Sequence, residues 1–506
     1  MITNLLRYIL PGVVLFMLVV VSHGQENKKI QIISADKASF DKSSGINARR
    51  LIGNVGFKHD DAFMYCDSAW FYAPTNSMDA FGNVKMEQGD SLVMTGRFMS
   101  YSGNTKIAKV RDSVVLIHKQ SRVFTDSLNY DREANFGYFF DGGKVLHQEI
   151  EMTSLKGYYY PESEDYYAVD SVHLVHPDYI IDADSLKYNT NNEITDFLGP
   201  TTILTDSSRI ECITGWYDTK NDLSAFGKNT VVYQQSQTLW ADSIFYNNKT
   251  GDGKAWWNVY LLDTLENFAG SGNYAEYNDI EDRSMMTDSA LVMYYENDDT
   301  TYIHGDTVFL FTDSLDNRII QTYYKVQMFK SDMQGRCDSL IYTESDSLIR
   351  MYHDPVLWSE ENQITADTIE LFLKNKKADS INMLRNALIV MQEDSIRFSQ
   401  ISGKNMYGQM KHNELSKIFI PENARTIYYV RDEGSEDIIG VNEEKSSEMT
   451  VFRQDGKIER ISYVGKPDGS MIPEEDTNPL DIRFENFKWL NEVRPRIVSD
   501  IFIWYK

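Results

Sequence analysis

The sequence has 506 residues, 75 of them acidic against 50 basic, and a formal net charge of −25. That length exceeds one ordinary compact core and admits either several domains or one solenoid. The acidic balance excludes nucleic acid or an anionic membrane face as the main partner, because both attract Lys and Arg patches; its simplest reading is solubility for a structure rich in strand surface.

Residues 1–24 read as a secretory signal peptide. Arg7 supplies a positive start, residues 8–21 are apolar, and Ser22 and Gly24 are the small residues before a cleavage site at Gln25. The apolar run is shorter than the ~20 residues that span a bilayer. No Cys follows it, so a lipoprotein anchor is not expected; an uncleaved N-terminal anchor is the alternative reading. Residues 25–29 form a polar lead-in, and 30–38 (I-Q-I-I-S-A-D-K-A) a first strand.

From residue 51 to about 280 the chain repeats. A small residue, an Asp-Ser pair, an apolar residue and an aromatic recur at C-D-S-A-W-F-Y (66–72), T-D-S-L-N-Y (125–130), A-D-S-L-K-Y (183–188) and A-D-S-I-F-Y (241–246). The Asp positions are 67, 126, 184 and 242. A second motif lies between them, around Gly96, Gly157, Gly215 and Gly272. The unit is therefore about 29 residues, and two half-similar units make the longer period. Each unit lacks a helical stripe. In G-N-V-K-M-E, Val84 and Met86 share one face and Lys85 and Glu87 the other, the alternation of a strand with one buried face. One unit holds two strands and two turns and cannot bury its own apolar face, whereas stacked units can. The fold class expected is all-β: an elongated stack of antiparallel strands around a continuous interior.

Past 280 the spacing shifts, with Asp-Ser heads at Asp288, Asp313 and Asp338 and a denser set of Asp-Ser or Asp-Thr heads after them. A soft boundary falls near 281–286. The domains expected are 27–283, the first part of the β-stack; 284–430, its continuation in shifted register; and 431–506, an acidic loop, a hairpin and a short terminal segment. Residues 431–449 read as a loop or linker. The following M-T-V-F-R-Q-D-G-K-I-E-R-I-S-Y-V reads as a hairpin turning at Asp455-Gly456. A Pro/Gly/Asp stretch spans 466–479, and a short helix is expected at 487–493. The apolar tail 501–506 is expected to pack back on its own domain, with docking to a partner strand as the alternative.

Little in the chain points to chemistry. His173 and His176, three apart on a strand, point to opposite faces and would not share a metal. No H-E-x-x-H, C-x-x-C, G-x-S-x-G or phosphate-cradling loop is present. We expect no enzyme activity, no cofactor and no metal. Cys66 and Cys337 occupy the small position before Asp-Ser, ~45 Å apart if rungs are ~4.8 Å apart, against the ~7 Å that a disulfide needs. Cys212 lies in a different half-unit, so no structural disulfide is expected. Asp-Ser reads as turn chemistry satisfying local backbone N–H groups where a strand bends. A bend there also spares Asp126 from facing inward with Leu128 and Tyr130. The same triplet, as in Asp90-Ser91-Leu92, resembles an O-glycosylation acceptor of some Gram-negative bacteria, and the two readings are compatible. A calcium β-roll lacks its G-G-x-G-x-D repeat. The 31 Tyr and 25 Phe fit either a packed core or an apolar lumen for acyl chains.

The run I-I-S-A-D-K-A, then L-I-G-N-V-G-F, M-Y-C-D-S-A-W-F-Y and A-F-G-N-V-K-M, resembles the OstA-like family of organic-solvent-tolerance and lipopolysaccharide-transport proteins. The likeness is strongest over 32–188 and continues more loosely to 429. It implies a V-shaped β-jellyroll with an apolar interior and no catalytic residues. It implies carriage of lipopolysaccharide between the inner and outer membranes, its lipid A acyl chains in that interior. It also implies partners with related jellyrolls at both membranes, joined through edge strands. Localisation would be periplasmic, with outer-membrane association an option. Greater length, the register shift after 280 and the C-terminal segment depart from the pattern. The family supplies no residue-level lipid site, so alternation alone gives the groove candidates: Val55, Phe57, Val84, Met86, Leu128, Leu186, Ile203, Val231 and Ile244. The competing functions are a non-catalytic envelope scaffold with a filled core, and an adhesive or carbohydrate-binding solenoid with exposed aromatic rows.

Overall fold

The computed structural model describes residues 29–40, 48–296, 299–315, 317–375, 377–411, 414–432, 437–454 and 457–505. The expected signal peptide and the Asp455-Gly456 turn lie outside the described residues. The chain divides into two compact units, Met1–Gly143 and Lys144–Lys506. In both, nearly all regular structure is antiparallel strand; the long strands pair with their sequence neighbours through short turns, and where a strand is broken at its corner its halves pair past one another with the next rung. This is the all-β jellyroll ladder. The expected boundary at 281–286 is not a division: Arg283–Thr287 is a strand paired on both sides within the second unit.

The strands bend, and the repeated motif explains how. Two consecutive residues with positive φ interrupt alternate strands: Gly53-Asn54, Gly82-Asn83, Asp112-Ser113, Asp170-Ser171, Lys228-Asn229, Trp257-Asn258, Tyr324-Lys325 and Arg385-Asn386. Each of these pairs forms a bulge opposite the neighbouring strand, which skips register there. Asn and Gly occupy many of these positions because they tolerate the left-handed region best. The Asp of the motif faces the bulge. Asn54, Asn83, Asn258 and Asn386 donate side-chain bonds to Asp36, Asp67, Asp242 and Asp367 at 2.8–3.0 Å. The expected role for Asp, satisfying its own local N–H groups, is thus replaced at these corners by a bond across strands. At Gly82 the requirement is strict: φ is +72° and an added Cβ would stand 2.4 Å from Asp67 Oδ2.

On the strands that lie opposite a bulge, the bend also switches which residues face inward. Along Ala62–Tyr72, Ala62, Met64 and Cys66 are buried, Asp67 is exposed, and burial resumes at Ala69 and Phe71. Even positions precede the corner and odd positions follow it. The two halves of each strand thereby line one interior from opposite sides. The small residue before Asp sits at the crease, where Cys66, Ala183, Ala241 and Cys337 are all buried. All three cysteines are free buried thiols; burial pushes Cys66 up to about 11 and Cys212 up to about 12.

Three expectations for local structure change. The first strand is two, Gln31–Ser34 and Lys37–Phe40, broken next to Asp36, which faces the first corner. The supposed loop 431–449 contains the strand Ile438–Ser446, and the Pro/Gly stretch contains Asp468–Pro473. Ile438–Ser446 has a partner strand on each side, so backbone pairing holds an acidic segment that few apolar side chains mark. The helix expected at 487–493 is only a single 3-10 turn, Asn491–Val493.

That last segment is a strap. Residues 482–505 cross the outer face of the second unit, and four glutamines buried to 4% exposure or less hold it, three by its backbone and Gln334 by the Arg494 side chain. Gln400 accepts from Phe484 N at 2.9 Å and donates to Ile482 O at 3.2 Å. Gln363 accepts from Leu490 N at 2.6 Å and donates to Lys488 O at 2.7 Å. Gln334 accepts from Arg494 at 2.7 Å, and Gln327 donates to Ile501 O and Ile503 O, each at 2.9 Å. The side chains satisfy main-chain groups that a helix would have paired internally, so the segment stays extended. Ile482, Phe484, Phe487 and Trp489 pack onto Leu388, Val390, Phe398 and Tyr429. Here both sheet faces are buried, which is why 387–391 reads A-L-I-V-M without alternation. The tail packs back as well: Ile501 is fully buried, and the Arg336 guanidinium lies 3.7 Å over the Trp504 ring.

Candidate functional site

The interior between the two strand halves is the candidate site. In the first unit it is closed. Phe57, Met64, Met86 and Met99 are fully buried, and Val55, Val84 and Leu128 are 1–2% exposed. The mouth, where the two sets of turns face each other, is bridged. Arg132, from one set, donates to Asp61 at 2.6 Å, to Tyr101 at 2.7 Å and to Gln88 at 3.2 Å; His59 meets Tyr101 at 2.7 Å. Lys106 faces Asp60 at 3.6 Å.

In the second unit the mouth is bridged first by Gln148–Glu193 at 3.1 Å and Tyr179–Thr219 at 3.4 Å. It is bridged again by Arg318–Glu266 at 3.4 Å and by Arg453–Asn362 at 3.0 Å. Between the Tyr179–Thr219 and Arg318–Glu266 contacts, no hydrogen bond or ion pair joins the two sets of turns among the described residues. That stretch holds a cavity of about 710 Å³, lined by apolar side chains including Ile181, Phe226, Ile244, Leu261, Phe268 and Val308. This is within the usual range for ligand pockets and equals the room of about two dozen water-sized groups.

Small interior side chains make the space. The strands Leu92–Ser102 and Phe268–Asn278 are equivalent repeats, L-V-M-T-G-R-F-M-S-Y-S against F-A-G-S-G-N-Y-A-E-Y-N. Gly270 and Ala275 stand where the first unit has Met94 and Met99, and both line the cavity. Tyr277 stands where Tyr101 is bonded across the mouth. The signal was in the sequence, as small residues at interior positions of an otherwise matching repeat.

The candidate residues distribute unevenly. Ile203 and Ile244 line the cavity. Val55, Phe57, Val84, Met86 and Leu128 lie in the closed interior of the first unit, and Leu186 is fully buried without lining the cavity. Val231 is a correction. Ser224 and Phe226 before the Lys228-Asn229 bulge and Thr230 and Val232 after it face inward, so Val231 pairs with Trp240 on the outer face and Val232 lines the cavity instead. Elsewhere, His173 meets Asp182 at 2.7 Å while His176 stacks on Tyr179 at 4.5 Å, so the two are engaged separately.

The mouth of the cavity is polar. Asp222 accepts from Tyr217 at 3.2 Å and from Asn248 at 2.9 Å, Asp279 accepts from Tyr246, and Asp282 accepts from Thr312 at 2.9 Å. Burial together with the adjacent carboxylate raises the Tyr217 and Tyr246 hydroxyls above the usual phenol range, so both remain neutral donors.

Two protein-family models match this ladder. Residues 27–184 match "OstA-like protein", and residues 209–377 match "LptA/(LptD N-terminal domain) LPS transport protein". Over these two stretches the chain is similar to OstA-like and lipopolysaccharide-transport families. Its OstA-like match takes in the closed interior of the first unit, and the second match takes in most of the open cavity. The strap lies beyond both. Among solved structures, the crystal structure of LptH, the LptA homologous periplasmic component of the lipopolysaccharide transport device from Pseudomonas aeruginosa, matches at 13% identity. That match covers 33% of this chain and 81% of that one, with a TM-score of 0.12. No curated protein matches.

Proposed function

We propose that this protein is a non-catalytic periplasmic carrier of lipopolysaccharide, and that the cavity of the second unit shelters acyl chains on the way between the membranes. The observation that carries the reading is an apolar cavity placed where the mouth of the ladder is unbridged. An acyl chain there is removed from water along its length, worth about 0.8 kcal/mol per methylene, while a head group stays outside. Photo-crosslinking amino acids at Ile244, Leu261 and Val308 should capture lipopolysaccharide in cells. The outward-facing Lys85 and the closed-core Met86 should not. Equal capture at all five positions, or none at any, would refute the reading.

A second reading, a scaffold that pairs through edge strands, has its own support. Lys457–Val464 and Asp468–Pro473 each pair on one side only among the described strands, and unpaired edges are templates for another strand. Under that reading the crosslinkers in the cavity stay empty while those on Lys457–Val464 capture protein.

A further inference from the structure

The mouth of the cavity has a charge that its apolar wall does not require. Asp178, Asp222, Glu276, Asp279 and Asp282 line it, against one cation, Arg283, and of these carboxylates Glu276 is paired with Lys254 at 3.2 Å. Arg283 faces Glu281 at 3.5 Å in an exposed, screened pair, and even with its charge counted in full the lining stays acidic. Lys249, in a neighbouring turn, donates to the Lys220 carbonyl at 3.3 Å and does not line the cavity. The hydrogen bonds that Asp222, Asp279 and Asp282 receive come from Tyr, Asn and Thr, neutral donors that satisfy the oxygens without cancelling the charge. A phosphate held there would meet several carboxylates beside a low-dielectric wall, where like charges repel most strongly. Hydroxyl and amino groups would instead find acceptors already oriented by their neighbours.

We propose that the cavity selects an acylated sugar whose head presents hydroxyl or amino groups at the mouth, and discriminates against the same lipid carrying phosphate there. The proposal rests on the acyl-chain reading of the cavity and adds the class of head group. It requires no residue to change position: the acyl chains occupy the trough, and the carboxylates Asp222, Asp279 and Asp282 sort the heads.

The test uses the purified full chain, a fluorescent acyl probe, and two competitors in the same detergent micelles with excess EDTA at low salt. One competitor is bis-phosphorylated lipid A; the other is that lipid A after enzymatic removal of both phosphates. The dephosphorylated form should displace the probe at a concentration about tenfold lower or better. The ratio should shrink as salt is raised, because screening weakens the repulsion. It should approach one in the triple variant Asp222→Asn, Asp279→Asn, Asp282→Asn. The salt series on the unaltered chain keeps the test decisive if that variant fails to fold. Equal displacement by both lipids at low salt, or tighter binding of the phosphorylated one, overturns the head-group proposal and leaves the acyl-chain reading standing. Displacement by neither sinks both.

Discussion

The first unit and the stretch of the second unit between Tyr179 and Val308 are built from the same repeat, with the same corners, yet one interior is filled and the other is open. Two differences account for this. The first unit places Met94 and Met99 where the second has Gly270 and Ala275. It also ties its mouth with Arg132, Tyr101, His59 and Asp61, whereas the equivalent turns of the second unit are untied. An architecture defined by backbone corners can therefore be rigid filler in one place and a container in another. A few interior side chains and one cluster across the mouth decide which.

The largest expected effect tests the filled side. Phe57→Ala should destabilise the chain by about 3–5 kcal/mol, because a fully buried ring leaves a void that the closed interior cannot collapse. Leu261→Ala, at a half-buried side chain that already borders open space, should cost less than about 1 kcal/mol. Guanidinium unfolding of the two variants measures the contrast, and equal losses would remove it.

Next comes the tie across the mouth of the first unit. The Arg132 side chain is only 3% exposed while its partner Asp61 is 60% exposed. The charge is thus buried on one side and screened on the other. Arg132→Ala should cost about 2 kcal/mol: less than for a fully buried pair because Asp61 stays solvated, but more than for a surface pair because Tyr101 and Gln88 lose their donor as well. Faster hydrogen exchange confined to residues around 59–62 and 101–106 would locate the loss.

Filling the open side should convert one region into the other. Gly270→Met with Ala275→Met restores the side chains of the first unit. It should lower lipid capture from a crosslinker at Ile244 by about tenfold, while the unfolding midpoint holds or rises as empty volume is removed. Undiminished capture would mean that the cavity is not where the chains lie. The smallest effect is expected at Arg318→Ala, whose ion pair to Glu266 is about one-third exposed on both sides. It should change stability by less than about 0.5 kcal/mol, with capture at Val308 equal or greater as the mouth loosens.

Much of the ladder was legible in the residues. Asp-Ser and Gly-Asn recur because a corner needs two left-handed residues and an acceptor for the Asn amide, and alternation between corners follows from the pleat. The open cavity was legible too, in Gly270 and Ala275, once the repeats were aligned position by position. What misled was the polar Thr230, which takes the first inward position after the Lys228-Asn229 bulge, so that Val231 turns outward and Val232 inward. The strap was hidden for a different reason. Gln327, Gln334, Gln363 and Gln400 are spread over 74 positions of the chain and look like ordinary surface amides until a distant segment lies over them.

By itself, the sequence determined the unit, its length and the chemistry of its bends, because these depend on neighbours a few residues apart. Only the tertiary structure decided which mouth is tied and which outer face is covered. Each of those depends on side chains separated by tens to more than a hundred residues, and their meeting is a matter of volume and hydrogen-bond satisfaction that no local pattern records.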